Sequence, residues 1–192
     1  MQKYMGTMIE TERLSLGAWT EAEREPFLGM CADPEVMHDY GGVWDRAYAG
    51  ARFERYAAAH QRDGFGKWAI RRKSDAAFLG WCGVSPIWPT LAPAPGLEIG
   101  WRLVRSAWGE GYATEAARAS LVDIFARTDA AEVISFTSLS NKRSLAVMVR
   151  LGLTRAECRD FLFEDGNPGL VFVAPRTSYA RANMERITNP AT

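Results

Sequence analysis

The chain is organised around Leu97-Glu98-Ile99-Gly100-Trp101-Arg102-Leu103-Val104-Arg105-Ser106-Ala107-Trp108-Gly109-Glu110-Gly111-Tyr112-Ala113-Thr114-Glu115-Ala116. Its first part reads as a strand, with Leu97, Ile99, Trp101 and Leu103 on one face and Glu98, Gly100 and Arg102 on the other. Gly109 and Gly111 then permit a tight turn and a close backbone approach to a ligand. A helix follows. Ala113, Ala116, Ala117, Ser120, Leu121, Ile124 and Phe125 form its apolar stripe, and Glu115, Arg118, Asp123 and Arg127 lie off it. The amides that open such a helix have no partner within it, and the positive end of the helix dipole stands behind them. Together they suit a pyrophosphate. The glycines would serve equally if they only capped and turned the chain. G-x-G-x-x-G is absent, as are a surrounding βαβ unit and a Gly-Lys-Ser/Thr, so neither a dinucleotide fingerprint nor a phosphate-binding P-loop is present.

On the N-terminal side, Ile9 to Leu16 alternates as a strand, with Leu14 and Leu16 inward. Thr20 caps a helix that carries Glu21 and Glu23 in its first turn. That helix reaches about Cys31, before Asp33-Pro34, and Pro26 can kink or split it. A second helix is expected from Ala47 to Arg62, and strands at Lys67–Arg72, Phe78–Ile87 and Leu97–Val104. Pro86 to Gly96 contains four prolines, which makes it a stiff loop. Its Trp88 and Leu91 could touch a substrate, but packing onto the sheet is the usual fate of loop aromatics.

On the C-terminal side, Val133 to Thr137 reads as a buried strand, the fifth. A helix covers about Lys142 to Leu151, with Gly152 as its stop. Strands at about Cys158–Phe163 and Leu170–Pro175 flank the turn Glu164–Gly169. The polar tail after Arg176 is expected to fray or pack loosely. The order β-α-α-β-β-β-α-β-α-β-β implies an α+β fold with one mixed sheet.

The 192 residues suit one domain, with a core at about 9–175. A formal net charge of +0 disfavours a partner bound through a nucleic-acid backbone. Cys31, Cys82 and Cys158 are odd in number and lack C-x-x-C spacing, and His38 and His60 are isolated. Neither a disulfide framework nor a metal site is expected. No apolar run approaches the roughly 20 residues that span a bilayer, and Met1 to Met8 has no leader-like run. The expected setting is the reducing cytoplasm, without a membrane partner.

Glu98-Ile99-Gly100-Trp101, followed by Trp108 through Ala116, resembles the acetyl-CoA motif of the GNAT superfamily of N-acetyltransferases. The branch it most resembles contains the ribosomal-protein N-terminal acetyltransferases. Thr11-Glu12-Arg13-Leu14-Ser15-Leu16 is similar to that branch's opening strand. Asn141-Lys142-Arg143-Ser144 with Leu151-Gly152-Leu153 is similar to its Asn-x-x-Ser…Leu-Gly-Phe helix. The joint match runs over about residues 9–175. Two departures stand out. Ser106 occupies the first position of the superfamily's phosphate motif, where Gln or Arg is usual, and Gly17 stands where the opening strand often continues with Arg.

The resemblance implies a single mostly antiparallel sheet with flanking helices. Acyl-CoA would enter a splay between the fourth strand, Leu97–Val104, and the fifth. It implies acetyl-CoA as co-substrate, an amine as acceptor, no covalent enzyme intermediate, and a homodimer as one possible assembly. Cofactor contacts would come from Leu103, Val104, Trp108, Gly109, Glu110, Gly111, Tyr112, Ala113, Thr114 and Asn141. Ser144 would protonate the leaving thiolate, and Glu98 would help remove the amine proton. Each role has a plain alternative. Ser144 could bond a carbonyl one turn back, Asn141 could only cap its helix, and Glu98 could be a solvated strand residue. Lys142 and Arg143 either reach a CoA phosphate or face water. His38, Asp39 and Tyr40 lie where relatives bind acceptors, although His38 also reads as a surface histidine. A non-catalytic acyl-CoA-binding or sensor domain on the same fold would share most of these signals.

Overall fold

The computed structural model describes residues 8–89 and 95–179. Among these residues nine strands are present: β1 Ile9–Glu10, β2 Leu14–Gly17, β3 Lys67–Arg72, β4 Phe78–Pro86, β5 Leu97–Leu103, β6 Glu132–Ser138, β7 Thr154–Arg155, β8 Phe161–Leu162 and β9 Pro168–Pro175. The helices are α1 Arg24–Cys31, α2 Pro34–Met37, α3 Arg46–Asp63, α4 Tyr112–Arg127 and α5 Lys142–Leu151. The sheet order is β1-β2-β3-β4-β5-β6-β9-β7, with β8 also on β9. Neighbours from β1 to β4 pair antiparallel, as do β6 and β9, whereas β5 and β6 pair parallel. This is the expected α+β fold, one mixed and mostly antiparallel sheet with flanking helices. The expected fourth and fifth strands are β5 and β6.

The chain divides into two compact units. The first is Met1–Gly83 with Gly100–Ala117, and the second is Val84–Ile99 with Arg118–Thr192. In the first, Trp19 centres an aromatic core, edge-on to Phe27 at 5.3 Å and Phe53 at 5.4 Å, with Tyr56 stacked at 5.8 Å. Its indole N–H is satisfied by Lys67 O at 2.6 Å, so the ring is buried without an orphaned donor. α1 and α3 lay Phe27, Leu28, Met30, Ala49 and Phe53 against this core. The run into α1 begins as a short 3₁₀ turn, Glu21–Glu23, where the Glu23 carboxylate accepts from Thr20 N and Oγ1, both at 2.8 Å. Pro26 lies in the first turn of α1, where no amide donor is needed, and α1 runs on past it to Cys31. In the second unit, β6 pairs with β9 from Glu132↔Pro175 to Ser138↔Gly169. Ile87, Ile134 and Val171 form its buried centre.

Five expectations are corrected. Ile9–Leu16 is a hairpin and not one strand: Ile9 pairs with Leu16, because Thr11 closes a turn on Leu14 O through its amide at 3.0 Å and its hydroxyl at 3.2 Å. Asp33-Pro34 ends α1 but also starts α2, since Asp33 caps Glu35 N and Val36 N and Pro34 occupies the first helical position. Glu157–Arg159 is a 3₁₀ turn, so the expected strand from Cys158 shrinks to β8. Trp88 is half exposed where burial against the sheet was expected, and Leu91 lies outside the described residues. Finally, residues 176–179 are anchored, and the rest of the expected tail lies outside the described residues. Arg176 donates to Ala130 O at 2.9 Å, Phe125 O at 2.6 Å and Thr128 O, and Tyr179 is buried with its hydroxyl on Leu151 O at 2.8 Å.

Candidate active site

The glycine turn folds as its sequence demands. Gly109 has φ +84° and Gly111 φ +81°, a left-handed conformation that side chains disfavour. A methyl group at Gly109 would meet nothing within 4 Å, so the turn's outer side is open. Glu115 N is the amide that donates back to Gly111 O, at 3.1 Å. The amides of Tyr112, Ala113 and Thr114 are therefore the unpaired first-turn donors of α4. Thr114 adds a buried hydroxyl with no hydrogen-bond partner among the described residues. This donor set fits a pyrophosphate. Glu110 and Gly111 are exposed, and Ala113 is half-buried. Tyr112 and Trp108 brace the turn from within. Tyr112 is buried, with the Arg13 guanidinium 4.6 Å from its ring centre, and Trp108 Nε1 donates to Leu103 O at 3.0 Å.

That bond also occupies one lone pair of the carbonyl of Leu103, one of the expected cofactor contacts. The neighbouring Val104 N–H is committed to Leu79 O at 2.9 Å, so a backbone contact from Val104 to a ligand would come from its carbonyl. Ser106 lies in the 3₁₀ turn Arg105–Ala107. The place beside Gly17 is filled from the neighbouring strand. The Arg71 guanidinium lies 3.1 Å from where a Gly17 Cβ would sit, and it pairs with the buried Glu23 at 2.6 Å.

The face of β5 that carries Gly100 and Arg102 is covered by buried groups. The space beside Gly100 holds the buried Lys67 ammonium, 3.2 Å from a would-be Cβ, together with the Trp81 ring. Lys67 Nζ donates to Gly83 O at 3.3 Å. Arg102 is buried as well. Its Nη1 reaches Val36 O and Asp39 Oδ1, the latter at 3.0 Å, and its guanidinium lies 3.9 Å from the Tyr40 ring centre. Arg102 thus pins the turn His38–Tyr40, where an acceptor contact was expected. His38 is half exposed, with Nδ1 3.0 Å from Glu35 O. Burial pushes the nearby Cys31 thiol up to about 12, against the pull of Arg102 and Arg52, so it is no thiolate nucleophile.

In the second unit, Asn141 is buried and caps α5, its Oδ1 accepting from Ser144 N at 3.0 Å. The Ser144 hydroxyl makes no hydrogen bond to the described residues, so the back-bond to a carbonyl one turn earlier is absent. Glu98 is half-buried and accepts from Ser85 Oγ at 3.4 Å. It stands opposite Ile134 in the parallel β5–β6 pair, and Ser135 Oγ donates to Ile99 O at 3.0 Å. Among the described residues no cluster of three His, Cys, Asp or Glu could hold a metal ion, and no helix is long and apolar enough to cross a membrane. The residues that sequence reasoning left without a role are Arg13, Lys67 and Arg102. Arg13 stood inside a quoted motif, whereas the two buried cations gave no sequence signal.

Residues 13–154 match the family described as the acetyltransferase (GNAT) domain. The chain belongs to this family, whose co-substrate is acetyl-CoA. It is 30% identical over 190 residues to the FsC-acetyl coenzyme A-N(2)-transacetylase of Aspergillus fumigatus, covering 95% of this chain and 80% of that protein. An acetyltransferase structure from Agrobacterium tumefaciens superposes with a TM-score of 0.76 at 26% identity, covering 91% of this chain and 97% of that one. RimL, a ribosomal L7/L12 α-N-protein acetyltransferase solved with coenzyme A, superposes with a TM-score of 0.70 at 18% identity, covering 88% and 98%. That last likeness is one of fold alone.

Proposed function

We propose that this protein is a single-domain N-acetyltransferase that moves an acetyl group from acetyl-CoA to an amine by direct attack. The acceptor would be a protein N-terminus, as in the ribosomal-protein branch it resembles, or a small-molecule amine. The observation that carries the reading is the turn Trp108–Thr114, with two left-handed glycines and free first-turn amides. Acetyl-CoA supplies an activated acetyl thioester. The chain's own part is to hold the diphosphate on the amides of Gly109–Thr114 and to remove and deliver protons. A parallel β5–β6 register at the single pair Glu98↔Ile134 is consistent with an arm entering between those strands. The Ser144 hydroxyl, left without a partner among the described residues, is assigned the proton delivered to the leaving thiolate. Glu98 is assigned the amine proton, taken through water. Asn141 fixes the start of the helix that carries Ser144. The free thiols of Cys31, Cys82 and Cys158 support a reducing, cytoplasmic setting.

The test is thiol release from acetyl-CoA in the presence of N-terminal peptides, amino acids and aminoglycoside-like amines, with acetylated product identified by mass. Turnover is expected with at least one amine. Tight CoA binding with no turnover across the panel would make the chain a non-catalytic acyl-CoA-binding domain. With an accepted amine, Ser144→Ala lowers kcat by about 10- to 100-fold, at the low end of general-acid effects, and spares CoA affinity. Glu98→Gln loses most kcat/KM near neutral pH, and the deficit shrinks as free amine accumulates toward a pKa of about 10. A deficit independent of pH would make Glu98 a positioning group.

A further inference from the structure

Two of the motifs quoted above lie about a hundred residues apart in the chain, yet a single arginine joins them. Thr11-Glu12-Arg13-Leu14 forms the turn between β1 and β2, and Glu110 and Glu115 flank the opening of α4. Thr11 Oγ1 donates to Glu115 Oε1 at 2.6 Å, and Arg13 N donates to the same oxygen at 3.0 Å. Arg13 Nε and Nη2 both reach Glu115 Oε2 at 2.7 Å. Arg13 Nη1 donates to the main-chain oxygen of Glu110 at 3.0 Å, and its plane lies 4.6 Å from the centre of the Tyr112 ring. Nη2 is 3.5 Å from where a Gly111 Cβ would sit.

We infer that Arg13 is a positioning residue for the cofactor, a strut that holds the Gly109–Gly111 turn with its amides outward. The inference rests on the reading of that turn as the pyrophosphate site. Two physical reasons support it. A turn with two left-handed glycines has little internal stiffness, and fixing the carbonyl of Glu110, which lies between them, orients the peptides on either side. Glu115, in the first turn of α4, is a negative charge close to a site for an anion, and the guanidinium, whose Nε and Nη2 both reach its Oε2, neutralises it. Arg13 does not bind phosphate in this scheme, because its fork is closed on Glu115 and Glu110. The feature that marks the chain is therefore the joining of the opening hairpin to the phosphate turn.

S-acetylpantetheine lacks the pyrophosphate and the nucleotide, so it reports on the chemistry without the turn. The experiment compares it with acetyl-CoA in wild type, Arg13→Ala, Arg13→Lys and the double variant Arg13→Ala with Glu115→Ala, using an accepted amine. CoA affinity is measured separately by calorimetry, which needs no acceptor. Arg13→Ala is expected to raise KM for acetyl-CoA and Kd for CoA on the order of tenfold, the scale of one lost charged contact. Both kcat and the efficiency with S-acetylpantetheine should stay near wild type. Arg13→Lys, which keeps the charge but not the fork, recovers only part of the loss. Arg13→Ala combined with Glu115→Ala loses no more CoA affinity than Arg13→Ala alone, because the two side chains act as one unit. A folded Arg13→Ala protein with unchanged CoA affinity overturns the inference. So does an equal loss with both thioesters, which would mark general damage. A wild-type protein that uses the two thioesters equally well removes the pyrophosphate site itself, and the strut with it.

Discussion

Glu115 shows how much one side chain can be asked to do. Burial raises its carboxyl, but the hydrogen bonds from the Thr11 hydroxyl, the Arg13 amide and the Arg13 guanidinium outweigh that and hold it below its ordinary value. An unfolded glutamate titrates near about 4.3. Since the folded value lies lower, the carboxylate's stabilisation is complete above about pH 4.3 and is lost as pH falls through the folded value. The melting difference between wild type and Glu115→Gln should therefore be constant from neutral pH down to about 5, then narrow in more acid solution. A difference that persists unchanged in acid would show that the carboxylate's charge is not what matters. The sequence contained both halves of this contact, Thr11-Glu12-Arg13 and Thr114-Glu115, but pairing them needs the fold. Lys67 and Arg102 were less legible still. A charged residue on an alternating strand reads as solvated, and only the Trp81 ring beside Lys67 and the α2 carbonyl of Val36 above Arg102 make those positions interior.

At the scale of elements, the readable features were those whose signal is local. α5 was expected at Lys142–Leu151 and occupies those residues, because Asn141 caps one end and Gly152, at φ +74°, stops the other. β1 and β2 were merged into one strand, because their alternation is continuous and the break is made by Thr11 bonding Leu14, which periodicity does not register. The glycine turn allows a matched comparison. Gly109, Gly111 and Gly152 have φ of +84°, +81° and +74°, and a methyl group at Gly109 or Gly152 meets nothing within 4 Å. At Gly111 the nearest atom is Arg13 Nη2, at an ordinary 3.5 Å. Replacing any of the three by Ala should thus cost about the same, on the order of 1–2 kcal/mol of left-handed strain. Only Gly109→Ala and Gly111→Ala should also weaken CoA, by roughly tenfold or more, since only there would the disturbed amides belong to the proposed pyrophosphate site. Calorimetry on the three proteins decides it, and equal CoA affinity in all three would remove the turn from the site.

Across the whole chain, charge is balanced at +0 with 23 basic and 23 acidic residues, so the proposed anion site would depend on local geometry and not on a basic surface. Local geometry likewise holds the segment from Arg176 to Tyr179, where composition marks the start of a loose tail. Arg176, one residue past β9, reaches the carbonyls of Phe125, Thr128 and Ala130 around the C-terminus of α4, and its own amide bonds Ala131 O at 2.9 Å. A cation there complements the negative end of the helix dipole as well as closing the last carbonyls. Tyr179 then buries its ring 5.7 Å from Phe125 and its hydroxyl on Leu151, the last residue of α5. One short segment thus ties α4 and α5 to β9 within the second unit. Removing a charged donor of this kind costs about 1.5–3 kcal/mol. For a chain of this size each kcal/mol lowers the melting midpoint by about 2–4 °C. Arg176→Ala should therefore melt about 3–12 °C lower. Arg176→Lys should recover only part, because one ammonium cannot span three carbonyls set around a helix end. CoA affinity should not follow the loss, since Gly109–Thr114 lies at the opposite end of α4. A melting midpoint within a degree of wild type in Arg176→Ala would mean that the segment rests on the helices without holding them.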